Sequence, residues 1–205
     1  MIRLFVTRHG ETDWNRQRRL QGWKDSELTE TGINNAIALG HRLRDIKFQS
    51  VYVSSSTRTI KTAELIIGDR NFPMIIDDCL REIHLGEWEG QTQEFLEKEY
   101  PKEFNAFWNT PHLYQSETGE SFAQLQERVQ KALKRILAEN DEGNILVVTH
   151  TVFIKSLLAH FKQFPLEKLW SPPFIYDTSL TIIEVDTESK ITLEGDITHL
   201  SKGVL

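Results

Sequence analysis

Three short apolar runs recur along the chain: Ile2 to Val6, Val51 to Val53 and Ile145 to Val148. They are near-continuous rather than alternating, the pattern of strands buried on both faces of a parallel sheet. Helical periods lie between and after them. Ile33, Ala36, Ile37, Gly40 and Leu43 share one face of a helix predicted over about 32–44, with Thr31 as its cap. Thr57 is the expected cap of a second helix beginning at Arg58. Ser121 and Gln124 have capping-box spacing, and Phe122, Leu125, Val129, Ala132, Leu133 and Ile136 then keep the helical period. Another helix should follow His150 to about Phe161. The last strands are read at 179–185 and 191–194, joined as a hairpin across 186–190. No repeat or linker interrupts this alternation, so residues 1–205 are expected to form a single domain.

Each apolar run leads into residues capable of chemistry. The first enters Arg8-His9-Gly10-Glu11-Thr12, the second Ser54-Ser55-Ser56-Thr57-Arg58, the third Thr149-His150. In open parallel sheets, ligands collect beyond the carboxyl ends of the strands. Strand direction alone therefore brings His9, Arg58 and His150 to one edge. Leu80-Arg81-Glu82-Ile83-His84 adds Glu82, flanked by apolar residues at the end of another short extended run. The interval 85–118 is aromatic and lacks a clear period, and it is read as an irregular insertion folded over that edge.

Such a set of side chains suits attack on phosphorus. A phosphate monoester carries close to two negative charges and repels an anionic nucleophile. A neutral imidazole avoids that repulsion and can form a covalent phosphoryl intermediate. His9 must then be unprotonated, with one ring nitrogen held by a backbone carbonyl and the other facing phosphorus. Gly10 is expected to permit the sharp turn out of the strand. Arg8 and Arg58 supply planar, permanently charged donors for the phosphoryl oxygens, and His150, once protonated, adds another. A carboxyl partly removed from water keeps its proton to higher pH, so Glu82 can protonate the leaving oxygen and then accept a proton from water. No step calls for a metal or cofactor.

Composition narrows the partners. The net charge of −6 argues against nucleic acid. The first 24 residues nevertheless carry six basic and two acidic side chains, a place to hold an anionic substrate. Arg16, Arg18 and Arg19 are evenly balanced between that role and a solvated surface. No apolar stretch approaches the ~20 residues of a membrane span, and the N-terminus has no signal-peptide pattern. The single cysteine, Cys79, cannot form an internal disulfide, so a cytoplasmic protein is expected. The seven histidines show no His-Glu-x-x-His spacing, and Ser54 to Ser56 lack the glycine-flanked elbow of a serine hydrolase. Nothing in the chain sets an oligomeric state.

These motifs resemble the histidine phosphatase superfamily, the phosphoglycerate mutase-like proteins. Its Arg-His-Gly motif matches Arg8-His9-Gly10, and its second arginine after a Ser-rich strand end matches Arg58. Its acid in a Leu-Arg-Glu context matches Glu82, and its second histidine matches His150 in Val147-Val148-Thr149-His150. The resemblance implies a three-layer α/β/α sandwich on a mostly parallel sheet with one antiparallel strand. It also implies secondary phosphate contacts from Asn15 and Gln21. Many members have glycine after the second histidine, where this chain has Thr151-Val152, leaving the Thr151 backbone N–H as the phosphate contact at a helix start. The tryptophan-rich stretches 107–114 and 169–174 look like the broad-specificity phosphatase branch, with which 181–186 agrees.

Within that family the choice lies between hydrolysis and mutase chemistry. A mutase must hold a bisphosphorylated intermediate under additional cations, which its branch supplies in a longer, arginine-rich insertion. Between Glu82 and Ser121 this chain offers only Lys98 and Lys102, with Phe104, Phe107, Trp108 and Tyr114 as the aromatic alternative. The expectation is a phosphatase acting on small-molecule phosphate monoesters, with Phe107, Trp108 and Tyr114 lining an apolar pocket for the alcohol. Phosphoglycerate mutase and a narrow-specificity enzyme such as alpha-ribazole phosphatase are the alternatives. A catalytically dead module that binds phosphorylated ligands would lack His9 or Glu82, and both are present.

Overall fold

In the computed structural model, which describes residues 1–200, the four strands β1 (Ile2–Arg8), β2 (Phe48–Ser54), β3 (Met74–Asp77) and β4 (Gly143–Thr149) run parallel. β5 (Leu180–Val185) pairs antiparallel with β1, and β6 (Lys190–Asp196) closes the predicted hairpin. The order across the sheet is β3-β2-β4-β1-β5-β6. Side chains alternate between two apolar faces, as a doubly covered sheet requires. Ile2, Leu4, Val6, Ile145 and Val147 point to one face, and Phe5, Val51, Val53, Leu146 and Val148 to the other. A short helix α1 (Asp13–Arg16) follows β1, and helices α2 (Glu30–Arg42) and α3 (Thr57–Ile67) cover the second face. The first is covered by α6 (Phe122–Glu139) and α7 (Thr151–Lys162). The expected α/β/α sandwich with one reversed strand is present. No helix among the described residues is long and apolar enough to cross a membrane.

Helix α6 starts where its pattern places it, with the Ser121–Gln124 capping box formed. Two other starts differ from expectation. Helix α2 begins two residues early because Thr29, not Thr31, accepts the Gly32 N–H at 3.0 Å. Thr29 also gives its hydroxyl to the Glu11 carboxylate at 2.7 Å, which fixes it outside the helix. Helix α3 has Ser56 rather than Thr57 at its cap position, with no side-chain cap bond. Its first N–H groups are instead met from a distance, Asp25 accepting from Thr57 at 2.6 Å and from Arg58 at 3.4 Å.

The interval 85–118 is not irregular. It holds two helices, α4 (Gln93–Glu99) and α5 (Pro101–Asn109), between single turns at Gly86–Trp88 and Pro111–Leu113. Thr92 caps the first by accepting the Phe95 N–H, and Pro101 opens the second. The aromatic residues that obscured the period pack around Trp88, which lies 6.1 Å from Phe107 and 5.7 Å from Tyr114 between ring centroids.

Candidate active site

Four adjacent strands deliver the predicted residues to one edge. His9 follows β1, His150 follows β4, Arg58 begins the helix after β2, and Glu82 follows the turn after β3. The His9 N–H bonds to Thr149 O at 3.0 Å, and Thr149 Oγ1 donates to Leu80 O at 2.6 Å, so the segments are locked together just below the site.

His9 is 3% exposed and its Nδ1 lies 2.7 Å from Gly10 O. A carbonyl only accepts, so Nδ1 carries the proton and Nε2 presents its lone pair. Burial, reinforced by the Arg58 and Arg8 charges, holds its pKa well below the ordinary value of 6.5. The imidazole is therefore neutral near pH 7. Gly10 serves another purpose than the expected turn. A Cβ there would sit 2.6 Å from Gly32 O, so its absence lets the loop press against the start of α2.

Arg58 is 2% exposed and braced on all sides. Its Nη1 donates to Asp25 Oδ1 at 2.8 Å and Lys24 O at 2.6 Å, its Nη2 to Gly22 O at 2.8 Å. Arg8 Nη1 donates to Ile175 O at 3.1 Å. The Nε atoms of both arginines are buried without a hydrogen-bond partner. Unsatisfied guanidinium donors are rare in a folded interior, and both side chains line one cavity.

His150 is fully buried, with Nδ1 3.1 Å from Arg58 Nη2 and Nε2 2.8 Å from Ser54 Oγ. Since Arg58 can only donate, Nδ1 accepts and Nε2–H points to Ser54. Its pKa is well below 6.5, by burial first and then the Arg58 charge. His150 thus backs Arg58, its ring centroid 5.3 Å from that of His9. Folding keeps both histidines neutral, so below about pH 6.5 the unfolded chain binds the more protons. Stability is full above that value and falls as the solution is acidified, by about 1.4 kcal/mol per histidine per pH unit. Urea midpoints measured at about pH 7.5 and about pH 5.5 should show the fall, and His150→Asn should flatten it.

Glu82 lies against the N-terminus of α7. Its carboxylate accepts from Val152 N at 3.1 Å, Phe153 N at 3.2 Å and Ile83 N at 3.0 Å. Burial raises its pKa despite those bonds and the Arg58 charge. The helix N-terminus anticipated as a phosphate contact is therefore occupied at Val152 and Phe153 by the acid itself, while Thr151 keeps a place on the cavity wall.

The cavity has a volume of about 530 Å³ and takes in Arg8, His9, Arg58 and Glu82. Asn15 and Gln21 line it too. Asn15 Oδ1 accepts from Thr12 at 3.0 Å, which turns its amide NH2 outward from that bond. Phe107 and Trp108 form part of the wall, together with Trp170, Phe174 and Ile175. Tyr114 does not reach the cavity: it is 4% exposed and packed on Phe107 and Phe122, 5.1 and 5.3 Å away. Of the N-terminal arginines, Arg18 and Arg19 reach the wall and Arg16 does not.

Sequence reasoning missed the supports. Asp25 and Ser54 hold Arg58 and His150, and Glu89 holds the loop whose carbonyls hold Arg58. Glu89 is 6% exposed and accepts from Trp23 N at 2.9 Å and Leu85 N at 3.1 Å. Gly22, at φ +51°, leaves room for it, since a Cβ would stand 2.3 Å from the Glu89 carboxylate. The one available signal was the pair of acids in Gly86-Glu87-Trp88-Glu89-Gly90, which does not say which is buried.

The chain is similar to known proteins. A family profile, histidine phosphatase superfamily (branch 1), matches residues 4–195. Phosphoserine phosphatase 1 of Hydrogenobacter thermophilus is 31% identical over 204 residues, covering 98% of this chain and 96% of that protein. Bacillus stearothermophilus YhfR superposes with a TM-score of 0.95 at 46% identity, covering 97% of this chain and 99% of that one. The alpha-ribazole phosphatase from Shigella flexneri superposes at 0.87 with 28% identity, covering 95% and 96%. This chain belongs to the histidine phosphatase superfamily, as an enzyme of phosphoric monoester chemistry.

Proposed function

We propose that this chain is a phosphomonoesterase of broad specificity that works through a phosphohistidine on His9, with no metal or cofactor. The observation that carries the reading is the buried, neutral His9, whose Nδ1–H is given to Gly10 O so that Nε2 is the nucleophile. Nε2 forms a bond to phosphorus as the bond to the alcohol oxygen breaks, and Glu82 gives its proton to that oxygen. Glu82 then takes a proton from water, whose oxygen displaces His9 and releases phosphate. The guanidinium groups of Arg8 and Arg58 meet the phosphoryl oxygens, with Asn15, Gln21 and Thr151 as secondary contacts. His150, which does not itself line the cavity, acts through Arg58, whose Nη2 donates to its Nδ1.

Hydrolysis rather than phosphoryl return is supported by how the cations are used. Three cations outside the 82–121 interval line the cavity, Arg18, Arg19 and Lys155. Two of them are already engaged. Arg19 donates to Gly90 O and Gln17 Oε1, and Lys155 to two backbone carbonyls. Arg18 is exposed to solvent. Few donors remain for the second phosphoryl group of a bisphosphorylated intermediate. We read 85–118 as an insertion in one domain that walls the alcohol side through Phe107 and Trp108, and the lone Cys79 supports a cytoplasmic setting.

The test follows 3-phosphoglycerate with purified protein and excess chelator, scoring free phosphate and 2-phosphoglycerate together. Free phosphate without isomer, at a rate the chelator does not change, is the expected result. Isomer without phosphate would favour the mutase, and inhibition by the chelator would remove the metal-free mechanism.

A further inference from the structure

Resting on the phosphomonoesterase reading, we infer that Lys155 is a positioning residue that fixes the 170–175 segment as the alcohol-side wall of the cavity. Lys155 stands on α7, one turn beyond Thr151, and is 5% exposed. Its ammonium donates to Ser171 O and to Pro173 O, the latter at 2.6 Å, so it grips the chain on both sides of Pro172. Among the described residues no carboxylate lies within salt-bridge distance of it. A buried ammonium is expensive in free energy unless its hydrogens are bonded. Here the bonds go to main-chain carbonyls, so its role is to hold backbone.

Main-chain hydrogen bonding does little to hold the segment it grips. From Pro172 to Asp177 no backbone N–H donates to a backbone carbonyl, and Pro172 and Pro173 have none to give. The side-chain ties along it are Trp170 Nε1 to Phe107 O at 2.7 Å, Lys155 in the middle, Arg8 to Ile175 O at 3.1 Å and Asn35 Nδ2 to Asp177 Oδ2 at 3.0 Å. Trp170, Pro172, Phe174 and Ile175 all face the substrate cavity. Phe174 is 62% exposed, so packing does not fix it. The helix carrying Lys155 also donates to Glu82 through Val152 and Phe153. One rigid element thus sets both the acid and the surface against which the leaving alcohol rests.

The experiment compares phenyl phosphate with ethyl phosphate in the wild-type chain, Lys155→Met and Lys155→Arg. Methionine keeps the length and removes every donor, whereas arginine keeps donors for both carbonyls. The ratio of kcat/KM for phenyl over ethyl phosphate is expected to fall about tenfold in Lys155→Met, the size of one lost charge-assisted contact. The fall should sit in KM for phenyl phosphate, and Lys155→Arg should restore the ratio to within about twofold. A lowered melting temperature with an unchanged ratio overturns the proposal, because a merely structural lysine would act equally on both esters. If Lys155→Met does not fold, Lys155→Gln is measured on the same pair, and an unchanged ratio there overturns it as well. A wild-type chain that hydrolyses neither ester overturns the phosphomonoesterase reading and this proposal with it. An active wild type with an unaltered variant ratio overturns this proposal alone.

Discussion

His9→Ala is expected to release phosphate at a rate lower by roughly 10⁴-fold or more, the scale on which removing a covalent nucleophile acts. The fold should survive. His9 is a neutral side chain whose one hydrogen bond goes to the next residue, so its loss leaves no buried charge unpaired. Its ring contact with His150, at 5.3 Å, is replaced by space continuous with the cavity. The variant should therefore unfold at nearly the wild-type urea concentration and still bind a phosphate monoester through Arg8 and Arg58. Rapid acid quenching of the wild type should trap phosphate on protein, and the variant should trap none. Substantial turnover by clean His9→Ala protein would falsify the phosphohistidine mechanism.

Glu82→Gln should separate substrates by their leaving groups. An alkyl alcohol leaves as a strongly basic alkoxide and needs a proton, so its ester should slow by roughly 10²–10⁴-fold. An activated aryl phosphate expels a weakly basic phenolate and should lose less than about tenfold. The glutamine retains an acceptor oxygen for the α7 N–H groups, which keeps the helix in place. The pH profile gives a second reading. Burial raises the Glu82 pKa, so the proton it donates is kept to higher pH than on an ordinary carboxyl and lost as pH rises further. Wild-type activity on alkyl esters should fall on that alkaline side, and the limb should vanish in Glu82→Gln. Equal losses on both esters, with the limb unchanged, would take Glu82 out of the acid role.

The residues proposed to act on phosphorus were legible because each sits in a local pattern. An apolar run ending in Arg8-His9-Gly10 is a strand ending in a polar loop wherever it lies in the fold, and the same holds for Thr149-His150. Asp25 was invisible for the opposite reason. It pairs with Arg58 and caps α3 from 32 positions away, and nothing near it in sequence marks it. Lys155 reads as one polar residue in a helix, since its burial depends on a loop that returns 16 residues later. Tyr114 shows the converse error. An aromatic residue close to the site in sequence was assigned to the pocket, but packing turned it behind Phe107. The aromatic period of 104, 107 and 108 was likewise that of a helix, hidden by neighbouring aromatics that fill a shared cluster around Trp88.

By itself the sequence determined the layered α/β class, the edge of the sheet where the cavity lies, and the five side chains that gather there. Those follow from local apolar periods and from strand polarity, which short-range sterics and solvation impose on any chain. Only the tertiary structure decided that His9 gives its proton to Gly10, that His150 faces Arg58 rather than solvent, and that Glu82 takes the N-terminus of α7. Protonation states and reach depend on burial and on partners distant in sequence. Those partners are set by the strand order β3-β2-β4-β1, which no local pattern specifies.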